Sequence, residues 1–94
     1  MAMSVEKAVA KVCKKYDNVK VISGIEYKGK YVFSVIYANE TWPTYHNFNV
    51  YVNKWTGKTG IFEMFPELIK DHGLVEACKT RIYECPVGTK EESE

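Results

Sequence analysis

Residues 52–60, VNKWTGKTG, contain the tripeptide Gly57-Lys58-Thr59, which also ends the phosphate-binding loop of many nucleotide hydrolases. Such a loop has another glycine five residues before the glycine of this tripeptide. It is followed by a helix that points its free amides at the phosphate. Val52 occupies the position of that first glycine, and a strand-like run follows Thr59. We therefore interpret the tripeptide as turn chemistry and predict no nucleotide site.

Thiols and imidazoles are the other groups that could do chemistry. His72, Cys78 and Cys85 are separated by six and seven residues, and His46 is remote in sequence. Zinc sites use more compact pairs, so we predict no metal and no cofactor. A cysteine–histidine dyad assembles in space rather than along the chain, so it stays open as an alternative. With Cys13 the cysteine count is odd, which predicts free thiols.

Carboxylate pairs and basic groups give no stronger indication of chemistry. Glu63 with Glu67, and Glu91 with Glu92, lack an apolar setting that would raise a pKa for general acid catalysis. The chain carries 13 basic and 12 acidic residues, a net charge of +1, whereas nucleic-acid-binding domains are usually clearly basic. We predict no catalytic residue and no nucleic-acid partner.

Length and composition are those of one globular domain. The chain has 94 residues, of which 46% are hydrophobic and 14% aromatic, which is enough for a modest core. We expect one domain over residues 1–85 and a disordered polar tail over residues 86–94. The sequence contains neither a membrane-spanning run nor a signal-peptide pattern. We therefore expect no membrane partner and a cytoplasmic location, or a secreted one if a signal peptide has been removed.

The elements that would position these residues begin with a helix. Apolar residues recur at spacings of three and four over residues 4–16, and Ser4 is a suitable N-cap. Runs rich in β-branched and aromatic residues then predict a four-stranded antiparallel meander. Its strands are residues 19–27, residues 30–38, residues 46–53 and the run that starts at Lys58.

Turn residues separate these strands. Lys28-Gly29 predicts a tight hairpin, and Asn53 to Gly57 predicts a four-residue hairpin loop that starts on asparagine and ends on a left-handed glycine. Residues 39–45, NETWPTY, are predicted to form a loop.

The C-terminal third is predicted to be helical at first. Pro66 suits the first position of a helix, and Gly73 suits its end. Residues 74–83 fit either a helix, with Leu74 and Cys78 on one face, or a strand, and the sequence leaves both open. The predicted fold class is α+β: an N-terminal helix packed on a four-stranded antiparallel meander, followed by one or two C-terminal helical segments.

The order of helix and meander resembles cystatin-like folds, and within them the PepSY domain. The strand GKYVFSVIY, followed by NVYVNKWTGKTG, is similar to the PepSY pattern, in which a Tyr-x-Val-x-Val strand precedes one that ends in a Val-Asp-x-x-Thr-Gly turn. The resemblance covers residues 4–64, with Asn53 in place of the usual aspartate. It implies a non-catalytic module that inhibits or regulates peptidases.

The aromatic residues are the predicted binding surface. On the second strand Tyr31, Phe33 and Tyr37 share one face, while aliphatic residues share the other. If the aliphatic face meets the helix, the aromatic row is exposed and available for binding. If the hairpin register shifts, the aromatic row is core instead, with Tyr27 added to it. The sequence leaves the choice open.

Two tryptophans add to this surface. Trp55 lies at a hairpin tip, and Trp42 either is exposed or folds over the sheet edge as a lid. We therefore predict a non-enzymatic binding or regulatory domain acting through the sheet face and the aromatic loop, with a protein partner or a second copy of itself. The alternative is a small-molecule or enzymatic pocket between the sheet and the C-terminal segment. The predicted binding residues are Tyr31, Phe33, Tyr37, Trp42, Tyr51 and Trp55.

Overall fold

The chain folds into an antiparallel sheet with one helix on its first face and two helices on its second face. A computed structural model describes residues 2–37 and 48–84. The predicted loop at residues 39–45, the start of the third strand, Cys85 and the tail lie outside the described residues. The elements are α1 (Val5–Lys15), β1 (Val19–Tyr27), β2 (Lys30–Tyr37), β3 (Phe48–Asn53), β4 (Thr59–Ile61), α2 (Met64–Lys70), α3 (His72–Cys78) and β5 (Tyr83–Glu84).

Helix α1 confirms the prediction for residues 4–16 to within one residue at each end. The Ser4 hydroxyl accepts a hydrogen bond from the Lys7 amide at 3.2 Å, as expected of an N-cap. Ala8 and Val12 lie on the inner face and are fully buried. Tyr16 takes an extended conformation and ends the helix.

The sheet has the strand order β4-β3-β2-β1-β5, with every pair antiparallel. The predicted meander of four strands is confirmed, and a fifth strand joins its far edge. Tyr83 and Glu84 pair with Gly24 and Ser23 of β1. The region from residue 74 to residue 83 is therefore helical up to Cys78 and becomes a strand only at its end.

Both predicted hairpins are present. Lys28 and Gly29 have positive φ angles of 48° and 76°, the conformation of a two-residue type I′ turn. In the second hairpin the Asn53 side-chain oxygen accepts from the amides of Trp55 and Thr56 at 2.8 and 3.0 Å. Gly57 follows with a φ of 80°, and a strand rather than a helix comes next. The Gly-Lys-Thr tripeptide is thus part of a turn, as predicted.

The first core lies between α1 and the aromatic face of the sheet. Tyr31, Phe33 and Val35 of β2 are buried there against Ala8 and Val12. Gly24 makes room for this packing, because a Cβ atom on it would stand 2.5 Å from the Phe33 ring. The sequence left open whether the aromatic row is exposed or buried, and the structure places it in the core.

The second core lies on the opposite face, under α2 and α3. Ile25, Tyr27, Val32 and Leu74 form its buried centre. Tyr27 is on this face because the two-residue turn pairs it directly with Lys30. The alternative in which a hairpin shift adds Tyr27 to the buried Tyr/Phe row is therefore not the one observed: the row is buried without Tyr27, because the turn has two residues.

Two predicted boundaries in the C-terminal third are corrected. Helix α2 begins at Met64, so Pro66 is its third residue, where the amide that proline lacks has no partner within the helix in any case. Gly73 does not end a helix but lies inside α3. The break falls at Asp71, whose extended backbone separates the helices and whose carboxylate accepts from the Gly73 amide at 2.8 Å.

Candidate binding surface

The predicted aromatic surface is not on the outside of the sheet. Phe33 is fully buried and Tyr31 nearly so, and the Tyr31 hydroxyl donates to the Met3 carbonyl at 2.8 Å. A binding role that required these two rings to be exposed is therefore wrong. The physical reason is that α1 packs over the part of the sheet face that carries these two rings.

The remaining predicted binding residues are separated from one another. Tyr37 is 42% exposed and its ring lies 5.6 Å from that of Phe48. Tyr51 is half-buried in the second core, and Trp55 is 62% exposed at the β3–β4 hairpin. Tyr37 lies beyond the Phe48 end of β3 and Trp55 beyond its Asn53 end, so the whole strand, about 17 Å long, separates them. Trp42 lies outside the described residues.

A different apolar surface arises from helix α2. Its sequence, MFPELIK, carries two apolar pairs at a spacing of four residues, and each pair marks one side of a helix. Met64 and Leu68 pack against the second core. Phe65 and Ile69 follow them by one residue, about 100° further round the helix, and so point away from the sheet.

Exposure of these side chains is high for residues of their type. Phe65 and Ile69 are each 75% exposed, and Ile61 on β4 is 54% exposed. Pro66 is exposed beside them. We call Ile61, Phe65, Pro66 and Ile69 the α2 patch. Single exposed apolar residues are ordinary on a surface, whereas a contiguous group is typical of an interaction site.

An open groove runs along one side of the α2 patch, between the end of β4 and the start of α2. Phe48 and Phe62 line it together with Ile61 and Phe65. Tyr37 contacts Phe48, so the exposed part of the predicted aromatic set reaches the border of this groove. The groove is mostly apolar, with Asn49 and Glu63 as the polar groups of its lining.

Charged residues stand at the two ends of α2. Glu63 precedes the helix and Lys70 ends it, and both are exposed. Among the described residues no ion pair joins Glu63, and the Lys70 ammonium is 4.0 Å from the Glu67 carboxylate. Helix α2 thus has an acidic group before its first residue and a basic group at its last, both to one side of the Phe65–Ile69 stripe.

A polar cluster holds the two C-terminal helices to the sheet. The Tyr27 hydroxyl donates to the Asp71 carboxylate at 2.6 Å, and the Lys28 ammonium lies 2.8 Å from the same carboxylate. The Tyr27 hydroxyl is also 3.3 Å from the Glu67 carboxylate. These contacts join the β1–β2 turn to the α2–α3 junction.

The protonation equilibria of this cluster favour a structural role. The Lys28 ammonium, the Tyr27 hydroxyl and the Gly73 amide all donate to Asp71, and they hold the pKa of its carboxyl well below the usual range. The hydrogen bond to Asp71, with burial, raises the pKa of Tyr27, and Asp71 also raises the pKa of Lys28. Each pKa moves away from neutrality, whereas an acid–base catalyst needs a pKa near its working pH.

The candidate groups for metal binding and nucleophilic catalysis are dispersed in the described part of the chain. Within residues 2–37 and 48–84, no three histidine, cysteine, aspartate or glutamate side chains come together as metal ligands would. Cys13 is exposed on α1, whereas Cys78 lines an open groove at the end of α3. His72 is exposed and lines neither this groove nor the one beside α2.

Sequence reasoning missed the α2 patch, although an indication was present. Four large apolar residues and a proline in a seven-residue helix are more than one buried face can use. One face of a short helix holds one apolar pair four residues apart, such as Met64 and Leu68. A second pair, Phe65 and Ile69, is therefore expected on another face. Only the structure could show that Ile61 lines the same groove as Phe65.

None of the helices in the described residues is both long and apolar enough to cross a membrane.

Comparisons with known proteins add no family to this description. The sequence matches no protein-family model, and neither a curated protein nor a solved structure matches the chain.

Proposed function

We propose that this chain is a non-enzymatic protein-binding module and that the α2 patch is its contact surface. The observation that carries the proposal is the exposure of Phe65 and Ile69, one helical turn apart and 75% accessible each. Leaving two such side chains in water forgoes the free energy that burial would provide, roughly 1.5–3 kcal/mol for each. A partner that covers them recovers it.

The arrangement around the patch supports a protein as the ligand. Large apolar side chains at the centre of a surface, with charged residues at its rim, are the usual composition of a protein–protein interface. Phe65 belongs to the α2 patch and also lines the groove, so a partner side chain that enters the groove would contact it. We expect Phe65 to contribute most to binding.

The resemblance to PepSY domains suggests one form of this role. A module of that family would regulate or inhibit a peptidase. Helix α2 follows the residues that carry the resemblance, so the α2 patch would be a contact that this chain adds to such a module. The exposed Tyr37 and Trp55 remain predicted contact residues, with Tyr37 closer to the patch because it packs on Phe48.

Capture with matched variants tests the proposal. The wild-type chain, Phe65→Glu and Val75→Glu are immobilised side by side and exposed to extract. Val75 is the control, because it is also an exposed apolar residue on a C-terminal helix but lies outside the patch. A captured protein is then purified and its dissociation constant is measured by calorimetry.

We expect Phe65→Glu to weaken binding by about 30-fold or more, as for an interface hot spot, and Val75→Glu to change it by less than about threefold. Equal affinity of the wild type and Phe65→Glu for every captured protein would contradict the proposal. Retained helical circular dichroism in both variants shows that the fold is intact.

A further inference from the structure

Charge is divided unevenly between the two faces of the protein. Helix α1 and the β3–β4 hairpin, residues 53–59, together carry six lysines and one acidic residue, Glu6. Residues 63–78, on the second face, carry four acidic residues and one lysine. The net charge of +1, from which we predicted no nucleic-acid partner, is therefore the sum of a basic region and an acidic region. A partner contacts one region, so the basic region has to be judged by its own charge.

Four lysines of α1 form the centre of the basic region, and we call them the lysine row: Lys7, Lys11, Lys14 and Lys15. At about 100° per residue they fall within an arc of about 100° of the helix. The first and the last are about 12 Å apart along the helix axis. Each of the four residues is exposed.

No acidic side chain of the described residues neutralises the lysine row. In residues 2–37 and 48–84 the ion pairs are made by other cations, namely Lys28, Lys54, Lys70, Lys79 and Arg81. Glu6 and Asp17, the acidic residues next to the row in sequence, form no ion pair with it in those residues. Lysines at spacings of three and four repel one another, so the row costs α1 some stability.

The helix dipole explains only half of the row. Lys14 and Lys15 lie in the last turn of α1, where the partial negative charge of the helix end favours cations. Lys15 also donates to the Thr59 carbonyl at 2.9 Å. Lys7 and Lys11 precede that turn, and their charges are therefore available to an anion from outside the chain.

An exposed aromatic ring lies beside the row. The Lys11 side chain lies over Gly57, with its Cε 3.1 Å from the position that a Cβ atom on this glycine would take. Trp55, two residues earlier in the same hairpin, is 62% exposed, and the Lys54 ammonium is 5.8 Å from its ring centre. Cations in a line with an exposed aromatic ring are the arrangement with which proteins hold single-stranded nucleic acid.

We infer that α1 and the β3–β4 hairpin bind single-stranded nucleic acid, with phosphates along the lysine row and an unpaired base stacked on Trp55. This surface is separate from the α2 patch, because α1 packs on the first core and α2 on the second. Lysine contacts a phosphate as a point charge and lacks the planar fork with which arginine reads a base. Binding should therefore tolerate different sequences.

The shape of the surface favours a strand over other polyanions. The row leads away from the hairpin in one direction, with Lys11 at Gly57 and Lys15 at Thr59. A planar membrane surface would be met best by lysines that surround Trp55. An acidic protein segment supplies carboxylates for the row but no base to stack on the ring.

Fluorescence anisotropy of a labelled oligo(dT) of about 12 nucleotides tests the inference on the whole chain. Four phosphate contacts predict binding that weakens about 50-fold between 50 and 200 mM salt. At 50 mM salt, Lys7→Gln/Lys14→Gln should bind at least tenfold more weakly and with about half the salt dependence. Neither lysine has a contact that glutamine would break, and circular dichroism confirms folding of each variant.

The matched control removes the same charge elsewhere. Lys79→Gln/Arg81→Gln changes two exposed cations just before β5, at the opposite edge of the sheet from β4. It should change the affinity for oligo(dT) by less than about threefold, because phosphate contacts act at short range in salt. Phe65→Glu should likewise leave the affinity within about threefold, so that failure of this inference and failure of the proposed function can be told apart.

Substitution of Trp55 tests the stacked base. Trp55→Leu should weaken binding about 5- to 100-fold without changing the salt dependence, because it removes the ring and no charge. Trp55→Phe keeps a flat ring and should lose less than about threefold. Equal losses in the two variants would overturn the stacking.

Three further results would overturn the inference. The first is no change in anisotropy at about 0.5 mM protein in 50 mM salt, and the second is equal affinity of the lysine-row variant and its control. The third is tighter binding to another polyanion. Cosedimentation with phosphatidylserine vesicles but no binding of oligo(dT) would assign the row to a membrane surface. Polyglutamate that binds more tightly than oligo(dT) at equal charge concentration would assign it to an acidic protein segment.

Discussion

The two faces of the sheet are covered in different ways. On the first face one helix of eleven residues closes the core, and Phe33, Val35, Val50 and Val52 beneath it are fully buried. On the second face two helices of seven residues each cover the core together. Helix α2 has no fully buried residue, and α3 has only Leu74.

The difference lies in what holds each cover in place. Helix α1 is held mainly by apolar packing, whereas the α2–α3 pair also depends on the ion pair and hydrogen bonds at Asp71. A polar attachment at one point can hold a short helix without burying all its apolar side chains. The second face is therefore the one with apolar surface left for a partner.

Removing a large side chain from the first core should have the largest effect. Phe33→Ala should lower the free energy of unfolding by about 3–5 kcal/mol, because it deletes a fully buried ring under α1. Urea unfolding followed by circular dichroism measures the loss, with Lys14→Ala on the exposed side of α1 as the control. A loss similar to that of the control would mean that packing under α1 contributes little to the free energy of unfolding.

An equivalent deletion in the second core should act more locally. Leu74→Ala should cost about 2–5 kcal/mol where α3 meets the sheet. Because the two short helices and α1 pack on different cores, we expect amides of α2 and α3 to exchange faster while those of α1 stay protected. Hydrogen exchange by mass spectrometry checks this. Equal acceleration in α1 would show that the faces are not independent.

The polar attachment should give the second face a pH dependence. The folded-state pKa of Asp71 is lowered, so its contribution is complete above its unfolded value, about 4, and is lost as the pH falls toward the folded value. Asp71→Asn should therefore be less stable than the wild type at pH 7, and the difference should shrink below about pH 4.

Urea midpoints of both proteins at pH 7, 5, 3 and 2 measure this difference, with Asp17→Asn, an exposed carboxylate outside the cluster, as the control. Asparagine can still accept from the Gly73 amide through its one oxygen, so the helix cap is retained while the charge and the acceptor for Tyr27 and Lys28 are lost together. A difference between wild type and Asp71→Asn that stays constant from pH 7 to pH 2 would contradict the role of the ionised carboxylate.

The smallest effect on folding is expected at the α2 patch itself. Phe65→Glu should change the free energy of unfolding by no more than about 0.5 kcal/mol in dilute solution, because the ring is mostly in water already. Thermal unfolding at micromolar concentration measures it. A loss above about 1 kcal/mol would mean that Phe65 supports the fold, and the contrast between the two faces would weaken.

Local chemistry explains what could be predicted from the sequence. The N-cap at Ser4, the Lys28-Gly29 turn and the Asn53–Gly57 loop each depend on neighbouring residues, and all three are present. Local rules misplaced the ends of the C-terminal helices because Asp71 has contacts far away in sequence. Its carboxylate joins Tyr27 and Lys28, and this attachment decides where the chain breaks.

The candidate site could not be predicted in the same way. Alternation along β2 shows two apolar faces but not which helix covers which. That choice depends on the Lys28-Gly29 turn, on the register shift between Val21 and Ser23, and on Gly24 under the Phe33 ring. Exposure of Phe65 likewise depends on how α2 is rotated on the sheet, which no spacing within the helix determines.

The lengths of the outermost strands have a consequence for solubility. Strand β4 has three residues and β5 has two, so each outer strand offers few unpaired backbone groups on which a neighbouring chain could extend the sheet. Open-ended growth into fibrils needs such a template, whereas contact through a helix surface does not supply one. Within the described residues, growth through the sheet would have to use the edge of β1 on either side of Ser23 and Gly24, because β5 pairs with those two residues only.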